Sequence, residues 1–296
     1  MIAKLTLPRY LKNSIFYFCI SCLFIFTTTQ ASASNLPSIQ TRLIQLGYTA
    51  IPLHKAQRQN TFLVDASFGN GTGKNKPITL ILDTGSATTY INQKIVNQYN
   101  FKQTEKYFIS GGIDGHHYRT PQVIIPTVHL FNFTSHNEYA YSQRHSPLST
   151  SGILGLDFLR KHQAIIDIYH QKLYLKLNID QSKDVLQKIL LSFGYQLVPL
   201  ERSPSGQQTL MIKINHANPA RFMLDTGVPP ELLIDVKYAK KLGQIKNKDI
   251  ATADLQYAQV GIPIVGVAGL DWMDKAHAII DTENDRLYLK NQTGIS

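Results

Sequence analysis

Two aspartates of this chain stand in the same local sequence. Leu82-Asp83-Thr84-Gly85 recurs as Leu224-Asp225-Thr226-Gly227, 142 residues later. In each copy an apolar run leads into a carboxyl, and a glycine just past it lets the chain turn sharply and approach closely. A carboxylate beside apolar strands is costly to bury unless it is hydrogen-bonded or shares a proton. If the two stretches pack about a pseudo-twofold axis, Asp83 and Asp225 meet, and a pair that close holds one proton between them. One member then acts as base on a bound water while the other donates to a carbonyl oxygen. Hydrolysis of an amide suits such a device, without a metal or a covalent intermediate.

The elements that position these residues are also duplicated. Gly47-Tyr48-Thr49-Ala50-Ile51-Pro52-Leu53 recurs as Gly194-Tyr195-Gln196-Leu197-Val198-Pro199-Leu200. Downstream, Gly155-Leu156-Asp157 recurs as Gly269-Leu270-Asp271, Ala164-Ile165-Ile166-Asp167 as Ala278-Ile279-Ile280-Asp281, and Leu173-Tyr174-Leu175-Lys176 as Leu287-Tyr288-Leu289-Lys290. Five blocks in one order define two copies of a unit. The first copy carries five extra residues before its Asp-Thr-Gly, assigned to the Gly69–Gly73 turn, and 28 more between Asp83 and Asp157.

Short β-type runs alternate with turns in each copy. Thr61–Val64, Ile78–Leu82, Val123–Ile125 and Leu173–Leu175 read as strands. Brief helices are expected at Gln93–Tyr99, Leu159–His162 and Val236–Leu242. Asp157 and Asp271 read as helix N-caps, Asp167 and Asp281 as strand-end residues with structural hydrogen bonds, and Trp272 as core. The expected architecture is all-β with short helices, in two lobes divided as 34–180 and 181–296.

Ile81-Leu82-Asp83-Thr84-Gly85-Ser86 and Met223-Leu224-Asp225-Thr226-Gly227-Val228, with the apolar-apolar-Gly blocks Ile153-Leu154-Gly155 and Val267-Ala268-Gly269, resemble the signatures of the retropepsin- and pepsin-type aspartic proteases. The arrangement looks like two bacterial retropepsin-like copies fused in one chain, from about Ile39 to Lys290. The resemblance implies a bilobal, pseudo-twofold acid-protease fold with double-ψ β-barrel-like lobes and a catalytic pair Asp83/Asp225. It implies that the Thr84 and Thr226 hydroxyls cross-bond to the opposite lobe's backbone and keep the pair coplanar, and that Gly85 and Gly227 admit water and substrate. It also implies a β-hairpin flap over the cleft, placed in the first-copy insert with its tip at Gly111-Gly112-Ile113-Asp114-Gly115. Ser86 could offer its hydroxyl to Asp83, which Val228 cannot do for Asp225; that asymmetry is expected to bias which carboxyl keeps the proton. Tyr107 and Tyr118 either reach over the cleft or pair across the hairpin.

Composition narrows the rest. The 296 residues are 43% apolar and 17% charged, with a formal charge of +10, which excludes a disordered chain. Lys4, Arg9 and Lys12 precede the apolar stretch Ile15–Phe26 and an Ala31-Ser32-Ala33 end, the parts of a secretory signal cleaved after Ala33. Cleavage would remove both cysteines, Cys19 and Cys22, and leave +7, so neither a disulfide scaffold nor a cysteine nucleophile is expected. No apolar run reaches the ~20 residues of a membrane span. His116 and His117 lack a third ligand at recognisable spacing and read as solvated loop residues. The lysines are scattered and no nucleic-acid motif accompanies them. The expectation is therefore an exported bacterial endopeptidase, periplasmic or secreted and monomeric. It would act on peptide or protein substrates without cofactor, metal, nucleic acid or stable membrane insertion. The alternative is an inactive peptide-binding module on the same fold.

Overall fold

The computed structural model describes residues 37–56, 60–69, 77–111, 117–144, 150–176, 183–214, 217–243, 250–255 and 260–290. Pro37–Ser296 form one compact unit. Among the described residues, no helix is long and apolar enough to cross a membrane.

The chain opens with helix α1 (Ile39–Gln45), whose N-terminal amides are capped by the Ser38 hydroxyl accepting from Thr41 N. Strands β1 (Tyr48–Pro52), β2 (His54–Lys55), β3 (Phe62–Gly69), β4 (Pro77–Leu82) and β5 (Tyr90–Asn92) follow, then helix α2 (Gln93–Tyr99). A long β-meander comes next: β6 (Lys102–Gly111), β7 (His117–Leu130) and β8 (Phe133–Gln143). The first half closes with β9 (Gly152–Leu154), helix α3 (Leu156–Lys161), β10 (Ile165–Asp167) and β11 (Lys172–Lys176). The second half runs α4 (Lys183–Ser192), β12 (Gln196–Pro199), β13 (Glu201–Arg202), β14 (Gln208–Ile212) and β15 (Ala220–Leu224). It ends with β16 (Leu232–Asp235), α5 (Val236–Leu242), β17 (Ile250–Ala253), β18 (Gly266–Ala268), α6 (Leu270–Lys275), β19 (Ile279–Asp281) and β20 (Arg286–Leu289).

Each half builds its own sheet, in the order β2-β3-β4-β9-β5-β8-β7-β6 in the first and β13-β14-β15-β18-β16-β17 in the second. The first six strands of one match the six of the other, including the parallel pairs β4–β9 and β15–β18. The additional elements are β6 and β7, which lie in the first-copy insert. β7 also pairs with β3, so the first sheet folds back on itself as a barrel. β3 shows why a strand forms here: Phe62, Val64, Ala66 and Phe68 alternate into the core while the residues between them face outward. The mainly β architecture with short helices and barrel-like lobes is as the sequence implied.

A third sheet, β1-β11-β10-β19-β20-β12, joins the halves. At its centre Ile166 faces Ile280, flanked by Ile165 opposite Asp281 and Asp167 opposite Ile279, a register unchanged when the halves are exchanged. One face of this sheet carries Ile165, Tyr174, Ile279 and Tyr288 against Leu43 of α1 and Leu190 of α4. The other face contributes Ile166, Leu173, Ile280 and Leu287 to the main core, which also takes Trp272.

Two expectations need correction. The N-caps of α3 and α6 are Gly155 and Gly269, and Asp157 and Asp271 fall in the first turn instead. The Asp157 carboxylate is drawn inward by the Thr89 hydroxyl (2.6 Å). Asp271 is reached by Asn60 Nδ2 at 2.5 Å. Asp157 also accepts from Phe158 N (2.7 Å) within the first turn, without being the cap. Helix α3 also begins three residues earlier than the apolar pattern indicated, because the Ser86 and Ala87 carbonyls accept from Leu156 N and Asp157 N and satisfy its first turn. Asp167 and Asp281 do end strands, accepting from the amides of His170 and Asn284.

Candidate active site

Parallel pairing of β4 with β9 and of β15 with β18 puts each Asp-Thr-Gly beside its own apolar-apolar-Gly block. Asp83 N donates to Leu154 O (3.2 Å) and Asp225 N to Ala268 O (3.0 Å). The two loops then meet across the junction of the halves. Thr84 Oγ1 donates to Leu224 O (3.2 Å) and Thr226 Oγ1 to Leu82 O (2.8 Å). Reciprocally, Thr84 N donates to Thr226 Oγ1 and Thr226 N to Thr84 Oγ1, each at 3.0 Å. Both threonines are fully buried, so these four bonds form in a low-dielectric setting and lock the loops together.

Asp83 and Asp225 are brought together by this lattice and hydrogen-bond to each other. Gly85 N (2.8 Å) and Ser86 N (3.0 Å) donate to Asp83 Oδ1. Asp225 Oδ1 receives Gly227 N at 2.7 Å. Burial pushes both carboxyls above the ordinary range. Asp225 is raised well above it, since the Asp83 charge adds to desolvation, whereas the hydrogen bond with Asp225, and after it the amides of Gly85 and Ser86, restrain Asp83. The two carboxyls therefore titrate as one unit, with Asp225 raised the further.

The Ser86 hydroxyl does not serve Asp83, contrary to the expectation. That hydroxyl donates to Thr88 O at 2.7 Å. The turn already presents the Ser86 amide to Asp83, and the hydroxyl satisfies the carbonyl two residues on.

Close approach explains both glycines. A Cβ at Gly85 would lie 2.2 Å from Asp225 Oδ2, and one at Gly227 would lie 2.9 Å from the Asp83 carboxyl carbon. Gly85→Ala must therefore drive the carboxyls apart. We expect it to lower kcat/KM on a cleaved peptide by about 100-fold or more; near-normal turnover would show that the pair tolerates separation.

Of the expected flap, Gly111 closes β6 opposite His117. Gly112, Ile113, Asp114 and Gly115 lie outside the described residues, as does His116. Tyr107 pairs in register with Pro121, not with Tyr118, and the Arg119 guanidinium lies 3.8 Å from its ring centre. On the alternate face of β6, Phe108 packs on Tyr141 at 5.6 Å between ring centres, and Tyr141 on Tyr90 at 6.2 Å. Burial raises the Tyr90 hydroxyl above its usual range, with Asp157 and Asp83 among the charges opposing its ionisation.

Comparison with known proteins follows this geometry. Residues 70–161, which span Asp83-Thr84-Gly85 and α3, match the family described as "gag-polyprotein putative aspartyl protease". No curated protein sequence matches the chain. Among solved structures, basic 7S globulin from soybean aligns with 83% of this chain and 97% of its own, at 9% identity and a TM-score of 0.52. Conglutin gamma, a basic 7S globulin from lupine seeds, covers 83% and 95% at 9% identity and 0.50. The chain shares their fold. The aspartic proteinase from Irpex lacteus is also similar, covering 84% and 99% at 13% identity and 0.49.

Sequence reasoning did not single out Thr89, which donates to Asp157 and accepts from Gly155 N (3.1 Å), tying the Asp83 loop to β9 and α3. It also missed Arg160 and Glu138, whose partners lie far away in sequence. The repeat gives no signal for Thr89, because the second copy has Glu231 at the matching place.

Proposed function

We propose that this protein is an exported aspartic endopeptidase whose pair Asp83/Asp225 activates a water for attack on a peptide carbonyl. The observation that carries the reading is the meeting of two carboxyls from repeated Asp-Thr-Gly loops, hydrogen-bonded to each other and served by backbone amides. In its ionised form Asp83 takes a proton from the water. Asp225 donates its proton to the carbonyl oxygen as negative charge develops there; on collapse of the intermediate Asp83 passes the proton taken from water to the leaving amine and Asp225 recovers its own from the intermediate's hydroxyl. An extended peptide lies in the cleft beneath the β6–β7 hairpin, held by main-chain hydrogen bonds.

Activity then requires one protonated and one ionised carboxyl, so the rate follows a bell in pH. Because both carboxyls are raised by burial, the descending limb is expected above the ordinary carboxylate range. Initial rates from acid to neutral pH check this. A rate that climbs steadily to neutrality would count against a proton-sharing pair.

A second reading, a peptide-binding module without catalysis, draws support from the similar structures named as globulins and not as proteinases. Incubation of the purified chain with a peptide library, with and without a statine-type analogue, separates the two. Cleavage blocked by the analogue supports the peptidase; peptide retention without cleavage supports the module.

A further inference from the structure

Arg160 of α3 reaches from the first half into the second, and each of its three guanidinium nitrogens donates a hydrogen bond. Nη1 donates to Gly206 O (2.6 Å), Nε to Thr282 O (3.2 Å) and Nη2 to Asp285 Oδ1 (3.3 Å). The acceptors are themselves held: Asp285 also takes Gln208 Nε2 and Arg202 Nε, both at 2.9 Å. Thr282 bonds back to Ala164 O through its amide and its hydroxyl. Only 14% of the Arg160 side chain is exposed, so these bonds are little weakened by solvent.

The other end of the same short helix grips the Asp83 loop, through Leu156 N to Ser86 O (2.9 Å) and Asp157 N to Ala87 O (3.1 Å). The turn that Arg160 holds lies against that loop as well. Gly206, at φ +98°, would place a Cβ 3.6 Å from both Ala87 Cβ and Arg160 Nη1. At the twofold-related position α6 carries Asp274, which makes a single bond to Lys55 Nζ (2.8 Å) with both side chains about one-third exposed. The two contacts across the junction are unequal, and the guanidinium makes the stronger one.

We propose that Arg160 is a positioning residue that sets the registration of Asp83 against Asp225. By clamping α3 to the 203–207 turn and the 282–285 segment, it fixes the Asp83 loop relative to the half that supplies Asp225. Only a planar fork serves three acceptors in these directions; a lysine ammonium on a flexible stem does not. The inference rests on the proposed peptidase reading for its kinetic effect, but not for its structural one.

The test compares Arg160→Ala and Arg160→Lys with Arg202→Ala, a variant that shares Asp285 but touches no part of α3. Tyr90 interacts electrostatically with both Asp83 and Asp157, and the charged groups acting on Arg160 are Arg202, Asp285 and Glu283. Both Arg160 variants are expected to lose about 10-fold or more in kcat, with little change in KM. Their pH bell should narrow, because separated carboxyls couple less and their two apparent pKa values draw together. Arg202→Ala should keep the wild-type bell. Carboxyl titration by NMR of chains carrying ¹³C-labelled aspartate follows the same pair without any turnover. If the wild type cleaves nothing, the function fails while the titration still decides the clamp. Superimposable bells or titrations with only a lower Tm would reduce Arg160 to scaffolding and overturn the proposal, as would wild-type behaviour of Arg160→Lys. Should Arg160→Ala not fold, Arg160→Lys carries the comparison.

Discussion

Replacing Asp225 by Asn is expected to abolish peptide cleavage and yet make the folded protein more stable at neutral pH. The loss of rate follows from removing the proton donor, and about 1000-fold or more is the scale for an essential acid–base group. The gain in stability follows from linkage. Burial and the Asp83 charge raise the Asp225 carboxyl in the folded chain, so the folded state binds its proton more tightly than the unfolded state does. For an acid shifted upward, the associated stability is present at low pH and is lost as pH rises from the ordinary carboxylate range through the folded value. At neutral pH the folded protein carries that cost, and the isosteric amide does not. Asp83→Asn should abolish cleavage equally, with a smaller stability gain, because two backbone amides already favour the Asp83 charge. Urea unfolding at pH 4 and pH 7, run beside a peptide assay, reads both effects. Residual cleavage near wild-type rates in either variant would refute the roles assigned to the pair. A variant less stable than wild type at pH 7 would refute the direction of the shift.

Glu138→Gln should do the reverse, leaving the pair intact and lowering the stability of the fold at neutral pH. Glu138 lies on β8, is 3% exposed, and receives Lys161 Nζ at 2.7 Å and contacts His162 Nε2 at 2.9 Å, with the Ser135 hydroxyl as a further donor. Lys161 and His162 end α3, so this carboxylate clips the meander to the helix that supports the Asp83 loop. Burial by itself would raise its pKa, but His162, Lys161 and Ser135 together outweigh burial and hold it at about 2, against an ordinary 4.5. A downward shift of that size contributes about 3 kcal/mol above the ordinary carboxylate range, at about 1.4 kcal/mol per unit. The contribution is lost as pH falls from 4.5 towards about 2. The clip therefore persists in the mildly acidic range where a proton-sharing pair works. We expect Glu138→Gln to lower the unfolding free energy by about 3 kcal/mol at pH 7, with the deficit shrinking towards pH 2. A deficit constant in pH would mean that lost packing, not the charge, explains the change.

Much of this architecture is written along the chain in a form that local rules can read. The alternation in Phe62–Phe68, the apolar run into each Asp-Thr-Gly and the repeated blocks in one order are properties of the linear sequence. They are legible because strand periodicity and duplication leave their mark in one dimension. The place of the extra hairpin was legible for the same reason, since an insertion changes the offset between matched blocks. Helix starts were read less well. Gly155 and Gly269 begin α3 and α6 because carbonyls of residues 86–87 and 228–229 receive the first amides, and those carbonyls are some 70 and 40 residues away along the chain.

What the sequence by itself determined is therefore the repeat, the mainly β character and the identity of two carboxyls able to share a proton. Tertiary structure alone decided how they share it. Whether Ser86 serves Asp83 by its amide or its hydroxyl, and which carboxyl keeps the proton, depend on where the turn aims each donor and how far each group is desolvated. Arg160 bonds residues 46 and 125 positions away, and Glu138 bonds His162 across 24. Hydrogen-bond direction and burial are set by the packing of distant segments, which no local pattern of residues encodes.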